Sequence, residues 1–277
     1  MKYLLGMLCL VALQPGAAYA QFDHQHKAWD NLLKKNVVVI DDGRAGRVRY
    51  AGFAQDRAAL KSYLADLSGV SEAEFRSWNK ARQMAFLVNA YNAYTVEKVL
   101  TRYPNLKSIR DFGTVFGNPW QDKFFKLLGH DSYLDQIEHE MLRAKGAYKD
   151  PRVHFALNCA SVGCPMLREE AYVAERLDTQ LEDQARRFLS DRSRNRYDEA
   201  RQVLAVSKIF DWYKEDWTSG QMEFSKTGLP IVSREQFFAG YARSLADRPE
   251  QQALIAAQKA AIVFLDYDWS LNDAARQ

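Results

Sequence analysis

The longest stretch of apolar residues with helical spacing lies between Ala81 and Leu100. Apolar side chains cover nearly every face of the predicted helix, so we expect it to be buried on all sides. Asn89 and Asn92 are three residues apart and share one face. Their amides need partners, because an unpaired buried polar group costs about 1–3 kcal/mol. Either the pair ties the helix to neighbouring loops, or Asn92 orients a catalytic imidazole and Asn89 binds a ligand.

Shorter patterns before and after this helix predict further helices and a few short strands. Helices are predicted over 27–35, 57–67 and 168–189, and strands over 37–40, 47–50 and 203–206. No internal repeat, low-complexity tract or linker interrupts them. The sequence therefore predicts an α+β fold, a helix-rich single domain around a small sheet, over residues 21–277.

The first twenty residues have the pattern of a secretory signal peptide. Lys2 supplies the positive charge, Tyr3–Leu13 the apolar segment, and Ala18-Tyr19-Ala20 the small-residue cleavage motif. The apolar segment is too short to span a bilayer and is interrupted at Gln14-Pro15. We therefore expect cleavage after Ala20 and a periplasmic or secreted protein with no membrane span.

Composition narrows the classes of partner. Hydrophobic residues make up 47% of the chain and charged residues 26%, as in ordinary globular proteins. The formal net charge of +3 is too small to indicate binding to nucleic acid or an anionic surface. The sequence has no phosphate-binding glycine loop, Gly-x-Ser-x-Gly motif or paired metalloprotease histidines, so no cofactor is predicted. A small molecule or a peptide is the expected partner, and the oligomeric state stays open.

The residues most suited to chemistry are concentrated in the segment 150–165. Alternating polar and apolar positions predict a buried strand, with His154 and Asn158 facing away from its apolar side. A glycine-containing loop follows, and the proline after Cys164 favours a helix that begins at this cysteine. A helix N-terminus lowers the pKa of a thiol. Cys164 is therefore the preferred nucleophile, whereas Cys159 is the weaker one and, with Asn158, is expected to contact the ligand.

Two histidines compete for the role of base. His154 is close to the cysteines in sequence, whereas His139 lies on a predicted helix next to Glu138. A nucleophile, a base and an orienting group form the usual set for covalent catalysis. Cys164 would be the nucleophile, with Asn92 or Glu138 as the orienting group. These residues predict a thiol hydrolase or peptidase-like enzyme that acts on a small amide or thioester substrate.

Two other uses of the same side chains stay open. In an oxidising compartment Cys159 and Cys164 could form a disulfide, which would contribute about 2 kcal/mol. The protein would then be a non-catalytic periplasmic binding or envelope-maintenance module. The two cysteines could also join His139 and His154 in a zinc site, but their spacing is not that of a zinc module, so no metal site is predicted.

Five segments resemble motifs of the domain-of-unknown-function family 547. They are FLVNAYNAY (86–94), IEHEMLR (137–143), DPRVHFALNCASVGCP (150–165), SKIFDWYKEDW (207–217) and YDWSLN (267–272). The resemblance extends from about Trp29 to Asn272 and implies an exported bacterial form of a domain also found in plants and animals, with no established reaction. It further implies distant similarity to papain-like or transglutaminase-like thiol enzymes, which fits Cys164, a histidine and Asn92. One departure is Val162-Gly163, where relatives often have Lys-Ser.

Overall fold

The computed structural model describes residues 21–113 and 118–276. The predicted signal peptide, residues 1–20, lies outside this part of the chain, so cleavage and export stay predictions. Within the described ranges, no helix combines the length and the apolar character that crossing a bilayer requires.

Helices make up about 49% of the structure, and the predicted α+β class is confirmed. The helices are α1 (Lys27–Asn36), α2 (Tyr50–Gln55), α3 (Arg57–Gly69), α4 (Glu72–Ser77), α5 (Lys80–Leu100), α6 (Val153–Ala156), α7 (Leu177–Ser190), α8 (Ile209–Trp212), α9 (Lys214–Thr218), α10 (Arg234–Gly240), α11 (Ala242–Leu245) and α12 (Pro249–Ala256). A π-helix covers Gln136–Leu142, and single 3₁₀ turns cover Asp41–Gly43, Ile109–Phe112, Pro119–Gln121 and Ala174–Arg176. That the chain forms one domain stays a prediction.

The described strands form three small sheets where one was expected. They are β1 (Val37–Ile40), β2 (Ala45–Val48), β3 (Phe125–Leu127), β4 (His130–Ser132), β5 (Arg196–Asp198), β6 (Val203–Val206) and β7 (Ala261–Phe264). β1 pairs with β2, and β3 with β4, in antiparallel hairpins. In the third sheet β6 lies between antiparallel β5 and parallel β7. The largest sheet thus has only three strands, and helices supply most of the core.

The helix α5 is central, as its sequence pattern predicted. Asn79 caps its first turn by accepting a hydrogen bond from the Arg82 amide at 2.9 Å. Every residue from Gln83 to Leu100 is buried. The apolar side chains of α5 belong to one cluster of buried residues. A second cluster, which includes Trp217 and Phe237, packs around α7 to α12.

The two asparagines of α5 tie this helix to neighbouring backbone. The Asn89 amide donates to the Tyr172 carbonyl at 2.7 Å, and its oxygen accepts from the Tyr172 amide at 3.0 Å. The Asn92 amide donates to the Ala156 carbonyl at 2.9 Å, and its oxygen accepts from the Asn158 amide at 2.9 Å. These bonds correspond to the alternative in which the pair ties the helix to neighbouring segments, because both side-chain amides are hydrogen-bonded to backbone groups.

The predicted strand in the segment 150–165 is wrong. Residues Val153–Ala156 form the short helix α6, and no helix begins at Cys164. Every residue from Pro151 to Asn158 is buried. The alternation of polar and apolar residues therefore did not mark a solvent-exposed face. A short run of this kind is equally compatible with one buried helical turn.

The long helix predicted over 168–189 begins instead at Leu177. Ahead of it lie the 3₁₀ turn Ala174–Arg176 and residues 171–173, whose backbone is held by side chains rather than by helical hydrogen bonds. The Val173 amide donates to the Gln180 side chain at 2.9 Å, and the Ala171 amide donates to Asp30 at 3.0 Å. These bonds hold residues 171–173 in extended form against α1, α5 and α7.

Replacing Asn89 with alanine tests the contribution of one such tie. Asn89→Ala would leave the amide and carbonyl of Tyr172 without their partner, so we expect a loss of about 2–4 kcal/mol in the free energy of unfolding, measured with urea. Asn105→Ala removes an amide from an exposed position and should change this free energy by less than about 0.5 kcal/mol. Equal losses in the two variants would contradict the structural role of Asn89.

Candidate active site

Five of the eight predicted site residues line one cavity of about 210 Å³. They are Glu138, His139, His154, Cys159 and Cys164. The remaining wall consists of Tyr91, Asn118, Trp120, Asp135, Leu157, Pro165, Ile209, Trp212, Tyr213, Tyr267 and Trp269. The other three predicted residues, all asparagines, are not part of this wall and bind backbone groups nearby.

Asn158 shapes the loop that carries both cysteines. Its amide donates to the Pro165 carbonyl at 2.7 Å, and its oxygen accepts from the Ala160 amide at 3.1 Å. Ala160 has a φ of 64°, in the left-handed region that a residue with a Cβ rarely adopts. Asn158 is therefore a positioning residue for the loop and does not line the cavity.

The loop is also paired with the end of the chain. The Val162 amide donates to the Ser270 carbonyl and the Gly163 amide to the Asp268 carbonyl, both at 2.8 Å. A Cβ on Gly163 would lie 3.0 Å from the Tyr267 ring and from the Asp268 nitrogen. Glycine at this position therefore lets Tyr267 approach the cysteine loop.

The structure places the two thiols in different environments, and neither lies at a helix start. Cys159 is partly exposed, and its sulfur lies 3.1 Å from the Tyr267 hydroxyl oxygen. Cys164 is buried, and its sulfur accepts a hydrogen bond from the Cys159 amide at 2.9 Å. Both cysteines are free, without a disulfide between them.

These environments shift the two pKa values in opposite directions. Hydrogen bonding from the Cys164 thiol, and then from the Tyr267 hydroxyl, lowers the pKa of Cys159. Burial raises the pKa of Cys164 well above its ordinary value. The helix-terminus reasoning that favoured Cys164 therefore fails, because no helix dipole is present there.

His154 forms a close pair with a carboxylate that sequence reasoning did not single out. Its Nε2 lies 2.6 Å from Oδ2 of Asp216, on α9. Burial lowers the pKa of His154, although Asp216 opposes this effect. Burial raises the pKa of Asp216, but hydrogen bonds from His154 and Arg143 outweigh it and bring the value to about 2. At neutral pH this pair is a neutral imidazole beside an ionised carboxylate.

Arg143 connects this pair to the second histidine. Its Nε donates to the same Asp216 oxygen at 2.6 Å, and its Nη1 is hydrogen-bonded to Nδ1 of His139. A guanidinium has only donors, so Nδ1 of His139 must be the acceptor. His139 is the more exposed of the two histidines, with 42% of its side chain accessible.

Glu138 binds an aromatic hydroxyl rather than a histidine. The Tyr213 hydroxyl donates to its Oε1 at 2.7 Å, and the Glu138 residue is only 7% exposed. Burial, with the nearby Glu138 charge, raises the pKa of Tyr213 far above its ordinary value. The hydroxyl therefore stays protonated and continues to donate. No hydrogen bond from Glu138 to a histidine is present among the described residues.

The site residues missed from sequence come from the two C-terminal motifs. Asp216 and Tyr213 lie in SKIFDWYKEDW, and Tyr267 in YDWSLN. Both motifs contribute to the family resemblance, but no residue in either is among the predicted site residues. No sequence signal distinguished Asp216, because it directly follows two other charged residues, Lys214 and Glu215.

Within the described ranges, no group of three or more histidine, cysteine, aspartate and glutamate side chains is arranged to hold a metal ion. The four residues considered for zinc instead have separate partners. His154 and His139 are linked through Asp216 and Arg143. The Cys164 sulfur accepts from the Cys159 amide, and the Cys159 sulfur contacts the Tyr267 hydroxyl.

Residues 75–189 match the model of a family described as "Protein of unknown function, DUF547". The resemblance drawn from the motifs is thereby confirmed, and three of the five motifs lie inside the matched stretch. The two motifs that contain Asp216 and Tyr267 lie beyond it. No curated protein matches the chain, and no solved structure matches it. The family description brings no reaction to this site.

The tyrosine at the cysteine loop should control the reactivity of Cys159. In Tyr267→Phe a donor to the thiolate is lost, so the pKa of Cys159 should rise and the rate of alkylation by iodoacetamide near neutral pH should fall several-fold. Tyr133→Phe is the control, because it removes a hydroxyl bonded to Glu140 outside the cavity. A pH–rate curve of Tyr267→Phe that overlays the unsubstituted protein would contradict this assignment.

Gly163 provides a second test of the same contact. In Gly163→Ala the new Cβ would push the Tyr267 ring away, so Cys159 should again react several-fold more slowly with iodoacetamide. Gly69→Ala is a matched control, since nothing lies within 4 Å of its added Cβ. Unchanged reactivity in a folded Gly163→Ala protein, checked by circular dichroism, would mean that Tyr267 does not depend on this glycine.

Proposed function

We propose that this protein is a thiol-dependent hydrolase in which Cys159 is the nucleophile, His154 the base and Asp216 the orienting carboxylate. Partial exposure and a lowered pKa distinguish Cys159 from Cys164, and both properties favour nucleophilic attack. Cys164 is then a positioning residue, because it accepts the Cys159 amide and supplies a hydrogen bond to the ionised thiol.

The observation that carries the proposal is the hydrogen-bond arrangement of the two histidines. Asp216 is ionised, so the His154 nitrogen 2.6 Å away carries the proton and the other ring nitrogen keeps its lone pair. In His139 the lone pair is already used to accept from Arg143. His154 is therefore the histidine with a basic nitrogen left for the cavity, and Asp216 takes the orienting role first considered for Asn92 or Glu138.

These residues support hydrolysis of an amide or thioester. The Cys159 thiol gives its proton to His154, and the thiolate adds to the carbonyl carbon while an electron pair moves to the carbonyl oxygen. Return of that pair breaks the bond to the amine or thiol, which leaves with the proton from His154. Water then adds to the acyl carbon and gives a proton to His154. The carbon–sulfur bond breaks, and the proton returns from His154 to the Cys159 sulfur. The products are a carboxylic acid and the free thiol.

A cysteine, a histidine and a third polar residue are also the catalytic set of papain-like proteases. The similarity to that class that the sequence suggested is thus supported by residue types. One difference is that the nucleophile proposed here is Cys159, in a loop held by asparagine side chains, whereas the resemblance fitted Cys164 and Asn92. We propose the periplasm or the extracellular space as the place of action, on the pattern of residues 1–20 alone.

Acylation by p-nitrophenyl acetate tests the proposal without knowledge of the natural substrate. We expect a burst of one p-nitrophenolate per chain and an acetyl group on Cys159 by mass spectrometry. Cys159→Ala should abolish the burst, and His154→Gln should slow it by about 100-fold or more. Cys164→Ser should keep acylation at Cys159.

The control for intrinsic thiol reactivity is the same protein unfolded in urea. If folded and unfolded chains acylate Cys159 at equal rates, the cavity does not activate the thiol and the proposal is wrong. Asp216→Asn should shift the pH–rate curve as well as lower the rate, since the orienting charge on His154 is lost. A merely structural Asp216 would lower the amplitude without moving the curve.

A further inference from the structure

Three aromatic rings form a continuous part of the cavity wall. The rings of Trp212 and Trp269 have centroids 5.5 Å apart, and Tyr267 lies 4.9 Å from the first and 4.6 Å from the second. Trp212 is 47% exposed, which is unusual for so large an apolar side chain. Exposed aromatic faces in a concave site are suited to binding a cation or an apolar ligand.

A buried carboxylate with spare acceptor capacity lies in the same wall. Glu138 is 7% exposed, and among the described residues only the Tyr213 hydroxyl donates to it, at Oε1. Its second oxygen has no hydrogen-bond donor in this part of the chain. Asp135 also lines the cavity and accepts from the Asn118 amide at 2.8 Å. Desolvated carboxylates favour a positively charged partner.

The positive charges near the cavity do not supply that partner. Within the described ranges, no lysine or arginine lines the wall. The guanidinium of Arg143 is already bonded to Asp216 and His139, and that of Arg110, which does not line the cavity, lies 5.1 Å from the centroid of the Trp269 ring. The described wall therefore combines negative charge with aromatic faces.

We propose that the cavity binds a substrate that carries a protonated amine, with the ammonium group held by Glu138 and by the faces of Trp212, Trp269 and Tyr267. An ammonium donates to the spare oxygen of Glu138, and ring quadrupoles attract it. An anionic ligand would be repelled by Glu138 and Asp135. A neutral ligand without a donor would leave the second oxygen of Glu138 unpaired, at a cost of about 1–3 kcal/mol, and a neutral hydroxyl would donate a weaker hydrogen bond than an ammonium group. The inference rests on the proposed function only in placing the substrate in this cavity.

The test uses three probes of similar size and different charge. The full chain carrying Cys159→Ala is titrated with n-butylammonium chloride, n-butanol and sodium butyrate, and binding is followed by tryptophan fluorescence. We expect butylammonium to bind about tenfold or more tightly than butanol, with no saturable signal from butyrate. Equal affinities for butylammonium and butanol would show a merely apolar site and overturn the proposal.

A matched pair of substitutions tests the role of the carboxylate. Glu138→Gln keeps the size and an acceptor for Tyr213 but removes the charge, so butylammonium should bind about tenfold more weakly. Glu140→Gln removes a charge from the exposed side of the same π-helix and should leave affinity unchanged. Equal loss in both variants would indicate general electrostatics rather than a site at Glu138, and would overturn the proposal.

These outcomes separate the two proposals. Cys159→Ala has no nucleophile, so its affinity for butylammonium does not depend on catalysis. Binding that fails while Cys159 still acylates in the unsubstituted protein would remove only the amine inference. Acylation that fails while butylammonium binds would remove the hydrolase proposal and leave an amine-binding protein.

Discussion

The site depends on one constraint: the loop from Asn158 to Cys164 is mostly buried, with only Cys159 and Val162 partly exposed, but belongs to no helix or sheet. Each of its backbone amides and carbonyls still needs a partner. Asn92 and Asn158 supply some of these bonds, and the C-terminal segment 267–272 supplies others. The thiols are therefore positioned by side chains and by remote backbone, and not by regular secondary structure.

Charge in the site is arranged around one buried carboxylate. Asp216 accepts from both His154 and Arg143, so its negative charge is balanced within the protein. Removal of either donor would leave a buried charge undercompensated, which is costly. This arrangement also fixes the orientation of His154, since one nitrogen is committed to Asp216. The ionised Asp216 thus stabilises the buried cluster and also orients the histidine that the proposed chemistry needs.

Sequence alone predicted the elements whose patterns were long or bounded by turn residues. The helix α5 was predicted within one residue of its start, and β1 at its bounds, because periodicity and turn chemistry act locally. The strand predicted in the segment 150–165 and the helix start at Cys164 were wrong. This segment is mostly buried, so it lacks the solvent-exposed face on which such patterns depend. Cys159, His154 and Glu138 were predicted as site residues because thiol, imidazole and carboxylate groups are the types that catalysis uses. All three line one cavity in the structure. Asp216 and Tyr267 could not be placed there, because their contacts with His154 and Cys159 span 62 and 108 residues.

The pairing of the cysteine loop with the end of the chain has a consequence for biosynthesis. Tyr267 lies 108 residues after Cys159, and both are needed for the thiol environment described above. At roughly 5–20 residues per second, a ribosome needs about 5–20 s to make the intervening chain. During that interval Tyr267 is not available to donate to the Cys159 sulfur. The contact that contributes to the lowered pKa of Cys159 therefore forms only after nearly all of this sequence has been synthesised.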